Sequence, residues 1–261
     1  MLSLSLEGRH VLVTGASKGI GRATAMAVAS LGAKVTVASR SADVLEAMLP
    51  ELITAGATSA HAVVMDFDDT RGLQEAMASV LQAGPVHVLV HNTGGPAGGP
   101  LLQAESSAIL GAISRHVLSL HTLVRACLPG MAEAGYGRIV TVTSTSVREP
   151  IPNLGVSNLT RAAVASWNKT VSRELPPGVT INNVMPGFTD TDRLSQLADA
   201  RATRQGVSAD DIFAGFVAKV PEGRLGRPEE LGSVIAFLCS PAAAYVRGQS
   251  IAVDGGRLNT I

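Results

Sequence analysis

Three glycines carry the first chemical signal in this 261-residue chain: Gly15, Gly19 and Gly21, with three residues and then one between them, in the run Thr14-Gly15-Ala16-Ser17-Lys18-Gly19-Ile20-Gly21. An apolar stretch at 11–13 precedes them and an alanine-rich stretch at 23–30 follows. A buried strand that enters a helix through glycines brings bare main chain against a ligand. The helix start then offers unpaired N–H groups and the positive end of its dipole. A pyrophosphate suits such a place. The spacing is neither that of a GxGxxG fingerprint nor that of a Walker loop, which needs Lys and then Ser or Thr after its last glycine. An ordinary glycine-rich turn is the alternative, and the position between a strand and a helix favours the ligand loop.

Positioning that loop requires a particular set of elements. Short apolar runs near 11–13, 34–38, 60–65, 86–90, 138–142, 179–184 and 250–253 predict strands. Helical patterns near 21–31, 43–55, 71–82, 109–134, 154–175 and 228–238 alternate with them. The alternation implies parallel strands joined by crossovers, hence a Rossmann-type doubly wound α/β sheet with helices on both faces, in a single domain over 1–261. The strands are nearly continuous apolar runs, as burial on both sides demands. In such sheets ligands bind beyond the carboxyl ends of the strands. The second strand ends in Ala38-Ser39-Arg40-Ser41, with no acidic residue before Asp43. A carboxylate there would accept from the ribose 2′-OH of NAD, whereas an arginine accommodates the 2′-phosphate of NADP. Arg40, helped by Lys18, therefore predicts NADP(H) in preference to NAD(H).

The glycine loop resembles the TGxxxGxG loop of the short-chain dehydrogenase/reductase family. The glycine- and proline-rich stretch 91–100 resembles the family's Asn-Asn-Ala-Gly segment, with Asn92 and Gly94 retained and His91 and Thr93 differing; a flexible linker is the alternative. Pro186-Gly187-Phe188-Thr189-Asp190-Thr191 is similar to the PGxxxT segment that holds the nicotinamide carboxamide, which points to Pro186, Gly187, Thr189 and Thr191. The run 224–230, with Gly248-Gln249 and Val253-Asp254-Gly255-Gly256 after it, is similar to the end of the 3-oxoacyl-acyl-carrier-protein reductase branch. The resemblance covers nearly the whole chain. It implies a cofactor on Gly15, Ser17, Lys18, Gly19, Ile20 and Gly21, and an adenine contact at Asp66, a residue that also suits an ordinary turn.

In the catalytic positions the chain departs from the family, whose members use an Asn, a Ser and a Tyr-x-x-x-Lys pair. Ser144 matches the serine that bonds the carbonyl. Thirteen residues on, Ser157 stands where Tyr is expected, and Arg161 stands in place of Lys. Counting along the earlier helix puts His116 at the family's Asn. The two tyrosines, Tyr136 and Tyr245, fall outside this region. A phenol of pKa about 10 is brought towards working pH by a nearby cation, whereas an alkyl hydroxyl is far less acidic. Arg161 would bind ribose hydroxyls as a fixed charge but does not pass a proton along. Lost general acid catalysis slows hydride transfer by roughly 10²–10⁴-fold without forbidding it. His116 is either a replacement acid or a hydrogen-bonded packing residue, and Ser157 and Arg161 either face the site or lie on a helix surface.

Bulk properties narrow the partners. Lysine plus arginine equals aspartate plus glutamate at 21 each, so no global field draws in nucleic acid or an anionic membrane. Cys127 and Cys239 lack metal-ligand spacing and read as small core residues of a reducing compartment; no metal site is expected. Residues 1–6 run into Glu7 and Arg9 without a basic region, which predicts no signal peptide and a cytoplasmic protein. No stretch reads as transmembrane. The segments 109–128 and 162–171 are apolar on more than one face and predict burial from several directions. In the resembling family these two helices pair between subunits, so a homodimer or homotetramer is expected. Residues 188–223 read as a substrate lid or as a solvated pair of surface helices. The function implied is an NADP(H)-dependent oxidoreductase acting on a 3-oxoacyl thioester or similar ketone, or on the matching alcohol. A cofactor-binding homologue without ordinary turnover, acting as a regulatory or structural partner, is the alternative.

Overall fold

Apolar runs that alternate with amphipathic helices can bury both of their faces only inside a sheet covered on two sides, and the computed structural model has that architecture. It describes residues 3–260; Met1, Leu2 and Ile261, which the expected domain and the opening stretch include, lie outside the described residues. The strands are β1 (His10–Thr14), β2 (Lys34–Ser39), β3 (Ser59–Val64), β4 (Val88–His91), β5 (Gly137–Val142), β6 (Val179–Pro186) and β7 (Ser250–Val253). They pair in the order β3-β2-β1-β4-β5-β6-β7, all parallel. The chain reverses its winding between β1 and β4, so their carboxyl ends frame the crevice where such sheets bind ligands.

The helices are α1 (Gly19–Ala29), α2 (Ala42–Ala55), α3 (Thr70–Gln82), α4 (Ser106–Ile113), α5 (Ser119–Glu133), α6 (Gly155–Val171), α7 (Asp192–Gln205), α8 (Ala209–Val217) and α9 (Pro228–Cys239). Val11 and Val13 of β1 pack with α1, α2 and α9 on one face, while Leu12 packs with α3, α5 and α6 on the other. The period of two along a fully buried strand thus feeds two separate cores. On the first face α1 and α9 cross so closely that a Cβ on Gly232 would lie 2.9 Å from the Ala23 carbonyl. Cys127 and Cys239 are free and buried, and burial pushes both thiols up to about 12.

Two stretches gain detail. The stretch 188–223 contains α7 and α8, which share a small core of their own built from Leu194, Ala198, Ala202, Ile212 and Phe216. The pattern over 109–134 becomes a continuous helical stretch, Ser106–Glu133, in which a π turn at Ser114–Leu118 joins α4 to α5. By length and composition alone these 28 residues could cross a membrane, contrary to the expectation that no stretch reads as transmembrane. The apolar content has a local cause: Leu120, Leu123, Val124, Cys127 and Met131 are buried against the sheet, while Leu110 and Leu118 stay exposed.

The fold also buries histidines. Burial, with Lys34 adding repulsion, lowers His10 to about 4, and its ring bonds Thr36 Oγ1 at 2.8 Å. Burial and then Arg161 lower His91 to about 3. Both are neutral in the native state, so unfolding takes up protons below their ordinary value of 6.5. Stability is therefore complete above pH 6.5 and falls as pH drops towards 4, by about 1.4 kcal/mol per pH unit for each histidine. Urea midpoints between pH 7.5 and 4.5 check this. His10→Gln, which keeps an amide donor for the Pro85 carbonyl, is expected to flatten part of the decline.

Candidate functional site

The main chain sets the site before any side chain does. Gly15 leaves β1 at φ 58°, and a Cβ there would stand 2.5 Å from the Asn92 carbonyl oxygen and 2.8 Å from its Nδ2. Asn92 ties the two strand ends together: its Nδ2 donates to the Gly15 carbonyl at 3.1 Å and its N–H to Thr14 Oγ1 at 3.0 Å. A Cβ on Gly21 would collide with the Gly15 carbonyl. Two strand ends and a helix start meet with no room for a side chain. Helix α1 follows Lys18 with no side-chain cap, so its first amides remain open to an anion. The cradle fits a dinucleotide pyrophosphate.

This cradle forms one wall of a cleft of about 910 Å³. Gly15, Ser17, Lys18, Gly19 and Ile20 line it, while Gly21 lies beneath the wall. Exposed Arg40 stands at the end of β2. Asp66 makes a turn, its Oδ1 accepting the Asp68 N–H at 3.0 Å, and still faces the cleft. Asn92 and Gly94 line it from the end of β4; Pro186, Gly187, Thr189 and Thr191 do so from the end of β6. Lys18 bonds Asp192 at 2.9 Å instead of standing free, but both side chains are about two-thirds exposed at 65 and 66%, so the pair is weakly held.

The side chains at the expected catalytic positions converge on the same cleft, with one exception. Ser144 Oγ accepts the Ser146 N–H at 3.0 Å, which leaves its own hydrogen free to donate. Ser157 lies on the face of α6 that lines the cleft, one turn before Arg161. Arg161 is buried, and its guanidinium donates to the Val142 carbonyl at 2.8 Å and the Thr93 carbonyl at 3.1 Å. No carboxylate among the described residues pairs with it. Burial and then Arg193 lower it to about 10, so it stays protonated at neutral pH.

His116 is the exception. It sits in the π turn, fully buried behind the cleft wall, with Nδ1 bonded to Thr93 Oγ1 at 2.5 Å and Nε2 unpartnered among the described residues. Burial first, then Arg161, His91 and Arg115, hold it far below its ordinary value. A ring held neutral and one residue removed from the cavity suits the packing reading over that of a proton donor. Neither tyrosine substitutes: Tyr136 bonds the Cys239 carbonyl on the far face and Tyr245 is fully exposed. Sequence reasoning missed Thr93 and Arg257. Thr93 links the His116 ring to the Arg161 guanidinium, and Arg257 donates to Thr145 Oγ1 at 2.8 Å, next to Ser144. Its place directly after Gly255-Gly256 was the available signal.

Fold, glycine cradle and convergent hydroxyls define an oxidoreductase site of the short-chain type. Residues 15–257 match the family described as enoyl-(acyl carrier protein) reductase. The chain belongs to the short-chain dehydrogenase/reductase family, in its 3-oxoacyl-acyl-carrier-protein reductase-like branch. It is 34% identical over 269 residues to the 3-oxoacyl-[acyl-carrier-protein] reductase of Vibrio cholerae, covering 97% of this chain and 98% of that one. Among solved structures it is similar to L-sorbose reductase from Gluconobacter frateurii complexed with NADPH and L-sorbose, with a TM-score of 0.92, 27% identity and 99 and 100% coverage. It is likewise similar to a 3-oxoacyl (acyl-carrier-protein) reductase from Agrobacterium tumefaciens C58 with NADP bound, with a TM-score of 0.87, 27% identity and 97 and 96% coverage.

The crowding at Gly21 makes a direct prediction. Gly21→Ala forces the loop apart and is expected to weaken nucleotide binding by about ten-fold or more, on the order of the 1–3 kcal/mol cost of overpacking. Gly111→Ala is the control, because no atom lies within 4 Å of its added methyl. Fluorescence titration of nucleotide into both variants reads the difference.

Proposed function

We propose that the protein is an NADP(H)-dependent oxidoreductase that reduces a small carbonyl compound, a 3-oxoacyl thioester or similar ketone, or oxidises the matching alcohol with NADP⁺ as acceptor, with NADP(H) preferred over NAD(H). One observation carries the reading: the uncapped glycine cradle, Arg40 and the free Ser144 hydroxyl open onto a single cleft. The NADPH and NADP held by the two solved relatives support the choice of cofactor. The amides of the loop 15–21 would hold the pyrophosphate, Arg40 and Lys18 the 2′-phosphate, Asp66 the adenine, and residues 186–191 with Asn92 and Gly94 the nicotinamide end. When bound, the cofactor supplies a hydride to the carbonyl carbon.

The chain's own groups handle the oxygen. Ser144 donates its hydrogen to the carbonyl oxygen, and Ser157, whose Oγ has no partner within the described chain, offers a further hydroxyl from the α6 wall of the same cleft. Arg161 contributes a fixed positive field that favours negative charge developing on that oxygen. Neither an alkyl hydroxyl nor a guanidinium releases a proton near neutrality, so the product oxygen takes its proton from water. Slower hydride transfer than with a tuned phenol follows, and α7 and α8 serve as the lid that limits water access. The exposed Leu110, Leu118 and Leu159 on α4, the π turn and α6 support association into a homodimer or homotetramer. A cytoplasmic location, without nucleic-acid or membrane partners, fits the balanced charge.

Arg40→Ala is expected to weaken NADPH binding by about ten-fold and leave NADH binding nearly unchanged, since a single exposed phosphate contact contributes on the order of 1–1.5 kcal/mol. Paired titrations measure it, and equal losses for both nucleotides would remove Arg40 from the 2′-phosphate. Ser144→Ala is expected to lower kcat by about 10²–10³-fold with NADPH affinity retained, the cost of a lost oxyanion donor. Single-turnover absorbance at 340 nm, on the order of the nicotinamide band, follows the chemical step directly.

A further inference from the structure

The charges around the cleft are unevenly placed. Its carboxylates are Asp66, Asp68 and Asp192, and all three lie at the cofactor end, two after β3 and one against the glycine loop. Asp68 already bonds Arg115 and Asp192 already bonds Lys18. Beyond Ser144 the wall changes character. Phe188 and Phe216 stack with ring centroids 4.5 Å apart, and around them stand Arg201, Arg204, Lys219 and Arg257 without an ion-pair partner among the described residues. Arg193 completes the group, its guanidinium bonded among the described residues to the Pro96 carbonyl alone.

Arg257 is the best-placed of these cations. Its guanidinium lies 4.8 Å from the centre of the Phe188 ring and donates to Thr145 Oγ1, a buried atom on the residue after Ser144. Its Nε–H is buried and unpartnered among the described residues. Glu149 lines a small adjoining cavity of about 290 Å³ with Arg257, and the Asp254 carboxylate accepts the Gly256 and Leu258 N–H groups on either side of that arginine without an ion pair to it. The Glu149 Oε1 accepts the Asn259 N–H and makes no ion pair with Arg257. A guanidinium braced by an aromatic face and a hydroxyl, with donors to spare, is built to receive a planar anion in two-point fashion.

We propose that the substrate is an oxo acid, a carbonyl compound whose own carboxylate lies only a few bonds from the reacting carbon and is held by Arg257, with Arg201 and Arg204 of α7 adding to the same field. The short link follows from sequence adjacency: the atom that orients Arg257 belongs to the neighbour of Ser144. The inference rests on the reductase reading and narrows its substrate. In the reaction the carbonyl carbon gains a C–H bond as NADPH is oxidised to NADP⁺, the oxygen takes a proton from water, and the carboxylate is unchanged.

The test uses the full chain and three probe sets: 2-, 3- and 4-oxohexanoate, their methyl esters, and the 3-oxohexanoyl thioester of phosphopantetheine. At least one free acid is expected to exceed its ester in kcat/KM by about ten-fold or more, a charge-assisted contact being stronger than a neutral one. Arg257→Gln should erase that ratio, Arg257→Lys should keep part of it, and NADPH affinity should be the same in all three proteins. A calorimetric arm measures the matching hydroxyhexanoates and their esters on the NADP⁺-loaded protein, where acid-selective, Arg257-dependent binding supports the proposal even without turnover. Equal use of acid and ester, or a thioester preferred over every acid, overturns it while leaving the reductase reading intact. Failure to bind NADPH overturns that reading instead.

Discussion

A positive charge fixed inside the protein with no carboxylate beside it organises this site. Removing a guanidinium from water is costly, and an interior cation normally takes an anionic partner. Arg161 instead spends two donors on the carbonyls of Val142 and Thr93, at the ends of β5 and β4. Those carbonyls belong to the two strands that frame the chemistry, so the charge that strains the interior also locks the frame. Its field reaches the rings behind it, where His91 and His116 are both held neutral partly by Arg161. The hydrogen bond between His116 and Thr93 then works as a brace between neutral groups and not as a source of protons.

A second constraint is purely steric. Gly15, Gly21 and Asn92 approach so closely that the loop has one conformation available, with the amides at the start of α1 turned outward. Such a cradle is rigid before any ligand arrives, and preorganisation lowers the ordering cost of binding. The opposite wall is different: α7 and α8 rest on a separate small core and touch the glycine loop through the exposed Lys18–Asp192 pair. A surface pair of this kind contributes about 0–1 kcal/mol, and the Arg193 guanidinium adds a hydrogen bond from α7 to the Pro96 carbonyl. The cradle side and the α7–α8 pair are thereby built on separate hydrophobic cores of one chain.

These two constraints were legible in the sequence to different degrees. The glycine loop, the parallel strands and the register of Ser144, Ser157 and Arg161 could be read because each follows from spacing along the chain, and spacing is what periodicity reports. Whether Arg161 would turn towards ribose or towards main chain could not be read, since that depends on where the carbonyls of two other strands end. The π turn at Ser114–Leu118 was equally hidden, because one extra residue per turn leaves the apolar pattern of α4 and α5 nearly unchanged. It shifts the register by one residue and places His116 behind the wall, where counting alone had left both of its readings open. Helices α7 and α8 carry mixed charges that blur their apolar stripe, and their core of five residues is assembled across two elements.

Exchange of a phenol and an amine for a hydroxyl and a guanidinium changes what the site can offer a substrate. A tyrosine beside a lysine forms a titrating pair, which moves a proton and can leave the pocket uncharged. Serine beside arginine does neither, so the cavity keeps its positive charge at neutral pH, where Arg161 is protonated. A neutral ketone gains from that field only as its oxygen becomes negative. A substrate that brings its own anion gains on binding as well, and compensates a charge that the chain has left uncompensated. Permanent charge at Arg161 thus stands where a titrating pair is expected from the family resemblance, and the far end of the same cleft carries Arg201, Arg204 and Arg257 as well.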